Sequence, residues 1–112
     1  MCRYQLIHSE KYTNYIMKLD TMTGQIWLIY SIDNMTKTID IDTNIKCDGD
    51  LNGRFTLCFW QAVLKTPPDK TYYPIHTIDM VLLDQNDGRC WLISIHNYQV
   101  PKNIETEVIR IC

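Results

Sequence analysis

Three arginines stand where a binding site for a small anion could form. Arg3 and Arg54 each begin an Arg-aromatic-x-Leu segment, and Arg89 directly follows Gly88. A guanidinium group binds phosphate or carboxylate through paired hydrogen bonds, and a tyrosine ring can stack on a base. The sequence therefore predicts a site for a small anionic, nucleotide-like ligand. The alternative is that Arg3 and Arg54 are surface arginines, or pair with aspartates, at the starts of strands.

One segment, Lys65–His76, indicates where such a site would lie. Its three prolines fix the backbone and keep the segment out of a central strand ladder. Irregular insertions on a regular scaffold often carry function. We predict that this insertion lines the site, and that the contacts come from Arg54, Lys70, Tyr72, Tyr73 and Arg89. The alternative is that the insertion only covers the edge of a sheet.

No sequence pattern indicates catalysis or metal binding. His8, His76 and His96 are widely separated, and none stands beside a nucleophile motif. The chain has neither a Gly-x-Ser-x-Gly elbow nor a phosphate-binding glycine loop. We therefore predict a protein that is not an enzyme and that uses no metal or cofactor.

Charge and hydropathy narrow the classes of partner. The net charge is −2 and no run of basic residues occurs, which argues against general nucleic-acid binding. Apolar runs such as Ile26–Tyr30 are far shorter than the ~20 residues of a membrane span. The N-terminal residues lack the apolar region of a signal peptide. These features predict a cytoplasmic protein, in which the five scattered cysteines are reduced thiols.

The elements that position these residues follow from an internal repeat. Met17–Ile29 aligns without gaps with Val81–Ile93, so that Asp20, Gly24 and Trp27 match Asp84, Gly88 and Trp91. In each block an apolar run ends in Asp, three turn residues follow, and a Gly precedes an apolar run containing Trp. Aspartate caps turns and glycine supplies the positive φ that closes a hairpin. Both blocks are predicted to be β-hairpins.

Composition favours strands throughout. Alanine occurs once and glutamate three times, whereas isoleucine, threonine and tyrosine are frequent. We predict an all-β single domain over residues 1–112, with repeat 1 at about 1–46 and repeat 2 at about 53–112. About eight strands would form a small barrel or sandwich. The halves are expected to be related by a pseudo-two-fold axis, with Trp27 and Trp91 equivalent and largely buried.

The second repeat resembles a known family. Gly53-Arg-Phe-Thr-Leu57 and Leu82-Leu-Asp-Gln-Asn-Asp-Gly-Arg-Cys-Trp91 are similar to a small β-repeat family of gut Bacteroidales and their phages. The resemblance covers about half of the chain, and the first repeat departs from it, with Cys2 for Gly and Lys18 for Leu. It implies a β fold and a phage or mobile-element origin, and it transfers no catalytic residue.

Taken together, these features predict a non-enzymatic cytoplasmic interaction module that binds a protein. The alternatives are a protein that sequesters a small nucleotide-like ligand and, third, an enzyme of unknown reaction. Edge strands must be paired, covered or charged. The alternating C-terminal segment Glu105–Cys112 therefore predicts a homo-oligomer, most simply a two-fold dimer.

Overall fold

Strands make up nearly all of the regular structure. The computed structural model describes residues 2–8, 15–32, 34–45, 53–65, 75–99 and 102–112. These residues form eight strands: β1 (Tyr4–His8), β2 (Tyr15–Asp20), β3 (Ile26–Ile32), β4 (Met35–Ile41), β5 (Phe55–Lys65), β6 (Ile75–Asp84), β7 (Cys90–Gln99) and β8 (Lys102–Arg110). No described segment is a helix of the length and apolarity needed to cross a membrane. The predicted all-β class is confirmed.

Each repeat forms its own sheet. The order is β1-β2-β3-β4 in the first sheet and β5-β6-β7-β8 in the second, and neighbouring strands are antiparallel. Neither sheet closes into a barrel. They share one hydrophobic core, so the fold is a sandwich. The strand β5 carries a register shift between Phe59 and Gln61, where Trp60 is the extra residue.

The two predicted hairpin turns are present and closely alike. The Gly24 N–H donates to the carbonyl of Asp20 at 2.8 Å, and the Gly88 N–H donates to that of Asp84 at 2.9 Å. The φ angles of these glycines are 79° and 80°. Glycine suits both positions because a side chain at positive φ meets the backbone. The Asp-x-x-x-Gly spacing therefore sets the same turn in both repeats.

The two faces of each sheet are named here by their residues. The Trp face of the first sheet carries Tyr4, Leu6, Ile16, Lys18, Trp27 and Ile29, and that of the second carries Phe55, Leu57, Met80, Leu82, Trp91 and Ile93. The opposite side is the Leu face. It carries Ile7, Met17, Leu19, Ile26, Leu28, Ile39 and Ile41 in the first sheet and Cys58, Val81, Leu83, Leu92, Ile109 and Ile111 in the second. Cross-strand pairing places each set on one side.

The core shows that the two sheets pack with unlike faces. It joins the Leu face of the first sheet to the Trp face of the second. The predicted pseudo-two-fold is therefore wrong, because a two-fold axis would bring the same face of each sheet together. Trp91 is buried as predicted, but Trp27 is only half-buried and lies on the outside of the sandwich. The repeats are stacked head to tail.

Thr21, in the first hairpin turn, connects the two repeats. Its hydroxyl donates to the Arg3 carbonyl at 2.6 Å and accepts from the Gly53 N–H at 3.0 Å. Its carbonyl accepts from the Phe55 N–H at 2.9 Å. Thr21 is fully buried. The turn of the first repeat thereby fixes where the first strand of the second repeat begins.

The cysteine prediction is wrong for one pair. Cys90 and Cys112 form a disulfide, with a Cα–Cα distance of 4.9 Å. Their backbones are also paired, since the Ile111 N–H donates to the Cys90 carbonyl at 2.9 Å. Sequence spacing missed the pair because proximity comes from β7 and the C-terminal segment meeting in the sheet. Cys2 and Cys58 are free thiols, and both are exposed.

Most of the predicted insertion lies outside the described residues. Lys65 ends β5, and Ile75 and His76 begin β6. Residues 66–74, which include Lys70, Tyr72 and Tyr73, lie outside the described residues, as does Cys47. Their predicted roles stay predictions.

Candidate functional site

The turn after β6 holds a buried carboxylate between two arginines. Asp84 is fully buried and accepts two hydrogen bonds at 2.9 Å from Arg54. It also accepts one at 2.9 Å from Arg89 and one at 3.0 Å from the Asn86 N–H. Asp87 lies 2.7 Å from the Arg89 guanidinium. The cluster is thus two cations and two anions, and its charge is balanced within the chain.

These hydrogen bonds set the pKa of Asp84. Burial by itself would raise the pKa, but the bonds from Arg54, Arg89 and Asn86 outweigh it and hold the pKa well below its usual range. Asp84 is therefore ionised at neutral pH. It locks Arg54 at the start of β5 to the turn after β6.

The first repeat has the same arrangement, but with one arginine instead of two. Arg3 donates two hydrogen bonds to Asp20, at 3.2 and 3.1 Å, and the Met22 N–H donates a third at 3.0 Å. Burial works to raise the pKa of Asp20, and the bonds from Arg3 and Met22 lower it below its usual value. Gln25 takes the place of Arg89 in the alignment. The motif therefore supports the turn in both halves.

The structure brings two of the five predicted contact residues together. Arg54 and Arg89 meet at Asp84, whereas Lys70, Tyr72 and Tyr73 are outside the described residues. The pairing with Asp84 agrees with the alternative in which arginines pair with aspartates at strand starts. Their part in ligand binding stays a prediction.

A polar network that the sequence did not indicate runs across the Leu face of the second sheet. Thr77 Oγ1 lies 3.0 Å from His96 Nδ1, and His96 Nε2 lies 3.5 Å from Glu107. A hydroxyl, an imidazole and a carboxylate in this order can activate a nucleophile. Thr77 is fully buried, however, so its hydroxyl has no surface at which to meet a substrate. The network fixes strand register instead.

The Trp face of the first sheet is an open apolar surface. Tyr4 is 46% exposed, Leu6 is 68% exposed and Ile16 is 37% exposed. The rings of Tyr4 and Trp27 are 6.3 Å apart, and Lys18 Nζ lies 4.7 Å from the first and 5.1 Å from the second. The lysine therefore sits against both rings. The surface combines exposed aliphatic groups, a preordered aromatic pair and one cation.

Cross-strand register explains this surface. Leu6, Lys18, Trp27 and Asp40 form one row across all four strands, and His8, Ile16, Ile29 and Thr38 form the next. An isolated exposed apolar residue needs no explanation, but neighbouring ones on a flat face mark a contact surface. The sequence carried the signal in Lys18, which stands where the second repeat has the buried Leu82.

The chain was compared with protein families, curated proteins and solved structures. The chain matched no family model, no curated protein and no solved structure. Within the described residues, no group of three His, Cys, Asp or Glu side chains could hold a metal ion. The class that the fold and the surface define is a two-sheet β-sandwich with an exposed apolar face.

Proposed function

We propose that this chain is a non-enzymatic interaction module that binds a protein through the Trp face of the first sheet. The observation that carries the proposal is the exposure of Tyr4, Leu6 and Ile16 on one side of a regular sheet. Protein interfaces are rich in aromatic residues. Tyr4 and Trp27 supply such residues, beside the exposed Leu6 and with Lys18 held against both rings.

Rigidity supports the same proposal. Tyr4 is held between Arg3, 5.2 Å from its ring centroid, and Lys18, on a strand that is paired along its length. A side chain that is already ordered loses less entropy when it binds. The surface therefore loses little side-chain entropy when a partner binds.

Sequestration of a nucleotide-like ligand has weaker support. Arg54 and Arg89 are the described members of that predicted site, and both are neutralised by Asp84. The cytoplasmic location and the phage or mobile-element origin are inferences from sequence alone, and they form part of the proposal on that basis.

Site-specific photocrosslinking in cells tests the proposal. A photoreactive phenylalanine analogue at Leu6 is expected to crosslink to protein, because the Leu6 side chain is largely exposed on the Trp face. The matched control is the same analogue at Lys37, which is exposed on the edge strand β4 and, opposite Tyr30, lies on the other side of that sheet. Equal crosslinking at both positions would contradict the proposal.

Thermal melting separates the sequestration alternative. For the interaction module we expect no rise in melting temperature with a panel of nucleotides and cyclic dinucleotides. A ligand at 100 times its Kd would add about 2.7 kcal/mol to the free energy of unfolding. A rise of that size would favour sequestration over protein binding.

A further inference from the structure

The contact between the two repeats provides a template for a contact between two chains. Inside the chain, the Leu face of the first sheet packs on the Trp face of the second. This leaves one Trp face and one Leu face on the outside of the molecule. The outer Trp face belongs to the first sheet and the outer Leu face to the second. Each is the equivalent, in the other repeat, of a face that is packed in the core.

The outer Trp face matches the buried one position by position. Tyr4 and Trp27 correspond to Phe55 and Trp91, and the ring centroids are 6.3 Å apart in the first pair and 6.4 Å apart in the second. Arg3 lies 5.2 Å from the Tyr4 ring, and Arg54 lies 5.5 Å from the Phe55 ring. The faces differ in charge at two positions: Lys18 replaces Leu82, and Asp40 stands opposite Trp27 where Arg110 stands opposite Trp91.

The outer Leu face matches its buried counterpart in the same way. Leu83 corresponds to Leu19, Leu92 to Leu28, and Ile109 to Ile39, because each pair has the same cross-strand register. Leu19 and Leu28 are fully buried, whereas Leu83 and Leu92 are half-buried and Ile109 is 45% exposed. The second sheet thus has half-buried and exposed apolar side chains at the turn end of its Leu face, whereas Thr77, Asp79 and Ser94 further along the same face are buried.

The backbone hydrogen bond that joins the two repeats also has equivalent positions on the outside of the molecule. The Phe55 N–H bonds the Thr21 carbonyl inside the chain. Tyr4 is the equivalent of Phe55, and Gln85 is the equivalent of Thr21. The Gln85 N–H bonds the Arg54 carbonyl at 2.8 Å, just as the Thr21 N–H bonds that of Arg3 at 2.7 Å. Gln85 is exposed at the end of the stack.

Charge also favours this pairing of faces. Lys18 is the cation at the centre of the outer Trp face. The Leu-face side of the second sheet carries two exposed carboxylates, Glu105 and Glu107, and no Lys or Arg among the residues whose side chains are described there. Asp79 on the same side is buried and bonded to Ser94 and Gln61. Opposite charges at a contact steer association and fix its register.

We infer that the Trp face of one chain docks on the Leu face of a second copy of the same chain. The inference rests on the proposed use of the Trp face and names its partner. The contact is heterologous, because the two patches differ, so it continues head to tail until a ring closes or a filament grows. It differs from the two-fold dimer that the sequence suggested.

Complementation between two surface variants tests the inference. Leu6→Arg damages the Trp face and leaves the Leu face intact, and Ile109→Arg does the reverse. Each variant alone is expected to be a monomer of 13.3 kDa. Their equimolar mixture is expected to form a heterodimer of twice that mass, since one intact contact remains. The wild-type mass is expected to increase with concentration, and light scattering measures all four samples.

Two results would overturn the inference. One is a wild-type mass of 13.3 kDa from micromolar to millimolar concentration. The other is self-association that Leu6→Arg abolishes and Ile109→Arg leaves unchanged, which is the behaviour of a symmetric contact between Trp faces. Circular dichroism confirms folding, and Ile16→Arg or Ile111→Arg replaces a variant that does not fold.

The photocrosslinking experiment separates this inference from the proposed function. Crosslinks from Leu6 to the Leu face of another copy support both. Crosslinks from Leu6 to a different protein alone keep the interaction module and overturn self-docking. Absence of any crosslink at Leu6 overturns both.

Discussion

Asp84 shows how one carboxylate can organise several parts of the chain. It accepts hydrogen bonds from Arg54 before β5, from Arg89 before β7 and from its own turn. Its equivalent, Asp20, has one arginine, and that arginine has a side chain 45% exposed. The same motif is therefore buried in the second repeat and partly hydrated in the first. The two positions form a natural pair for mutagenesis.

Asp84→Asn is expected to lower the free energy of unfolding by about 3–5 kcal/mol, because it removes the closest counter-charge of the buried Arg54 and leaves Asp87 as the one carboxylate beside both guanidinium groups. The amide oxygen still caps the Asn86 N–H, so the loss reports the ion pairs. Asp20→Asn is the matched control and should cost clearly less, since water solvates Arg3. Urea unfolding measures both. Equal losses would show that burial of the cluster does not matter.

Acid should weaken the wild type through the same carboxylates. The folded-state pKa of Asp84 and of Asp20 is lowered, while an unfolded Asp titrates near pH ~3.9. Their stabilisation is present above that pH and is lost as the pH falls through the folded values. Melting temperature should fall below about pH 4, and Asp84→Asn should flatten the decline. An unchanged pH profile in this variant would contradict the assignment.

The hairpin turns are equivalent in backbone but not in surroundings. A Cβ on Gly24 would lie 3.2 Å from Phe55 and from Ile45, whereas a Cβ on Gly88 would meet nothing within 4 Å. The first turn is pressed against the other sheet, and the second turn is at an end of the stack. The difference follows from head-to-tail packing.

Gly88→Ala should therefore cost only the strain of positive φ, about 1–2 kcal/mol. Gly24→Ala carries the same strain and also requires Phe55 or Ile45 to move, so its loss of stability should be larger. Chemical denaturation of both variants gives the comparison. A larger loss at Gly88 would contradict the packing of the first turn against the second sheet.

The strands and turns could be predicted from sequence because their causes are local. Asp20, Gly24 and their equivalents specify the turn, and the composition specifies strands. The way the sheets stack could not be predicted, because both faces of each repeat are apolar enough to be buried. Lys18 in place of Leu82 was the available signal, since a lysine suits an open face. The disulfide depends on long-range pairing and left no spacing pattern.

The disulfide closes the last hairpin of the second sheet. Cys90 and Cys112 are separated by 22 positions. Crosslinking a loop of this size removes entropy from the unfolded chain and adds about 3 kcal/mol. Cys112→Ser should lose that stability under oxidising conditions and should match the reduced wild type. Cys58→Ser, which changes an exposed free thiol, is the control and should have no effect.

The oxidation state in cells also tests the location inferred from sequence. Disulfides are uncommon in the cytosol. Because Cys90 is buried, cells should be quenched in acid and the thiols alkylated in denaturant; both Cys90 and Cys112 are then modified if the protein is cytoplasmic and reduced. Protection of both thiols would contradict a reducing compartment.

At the scale of the molecule, the chain has two different ends. One end presents the Trp face with Tyr4 and Leu6, and the other presents the Leu face with Leu92 and Ile109. A stack of repeats normally requires polar outer faces on its terminal units. Here both outer faces carry exposed apolar side chains beside their charged ones.

For the head-to-tail docking that we infer, Lys18 is expected to limit how far the chains polymerise. A heterologous contact that does not close produces fibres, and its growth depends on the strength of each step. Desolvating Lys18 weakens every step. Lys18→Leu would make the outer Trp face resemble the buried one, so we expect turbidity and insoluble expression where the wild type stays in solution. Lys18→Arg keeps the charge and is the control. We therefore expect a single lysine to decide whether the head-to-tail assembly stays in solution.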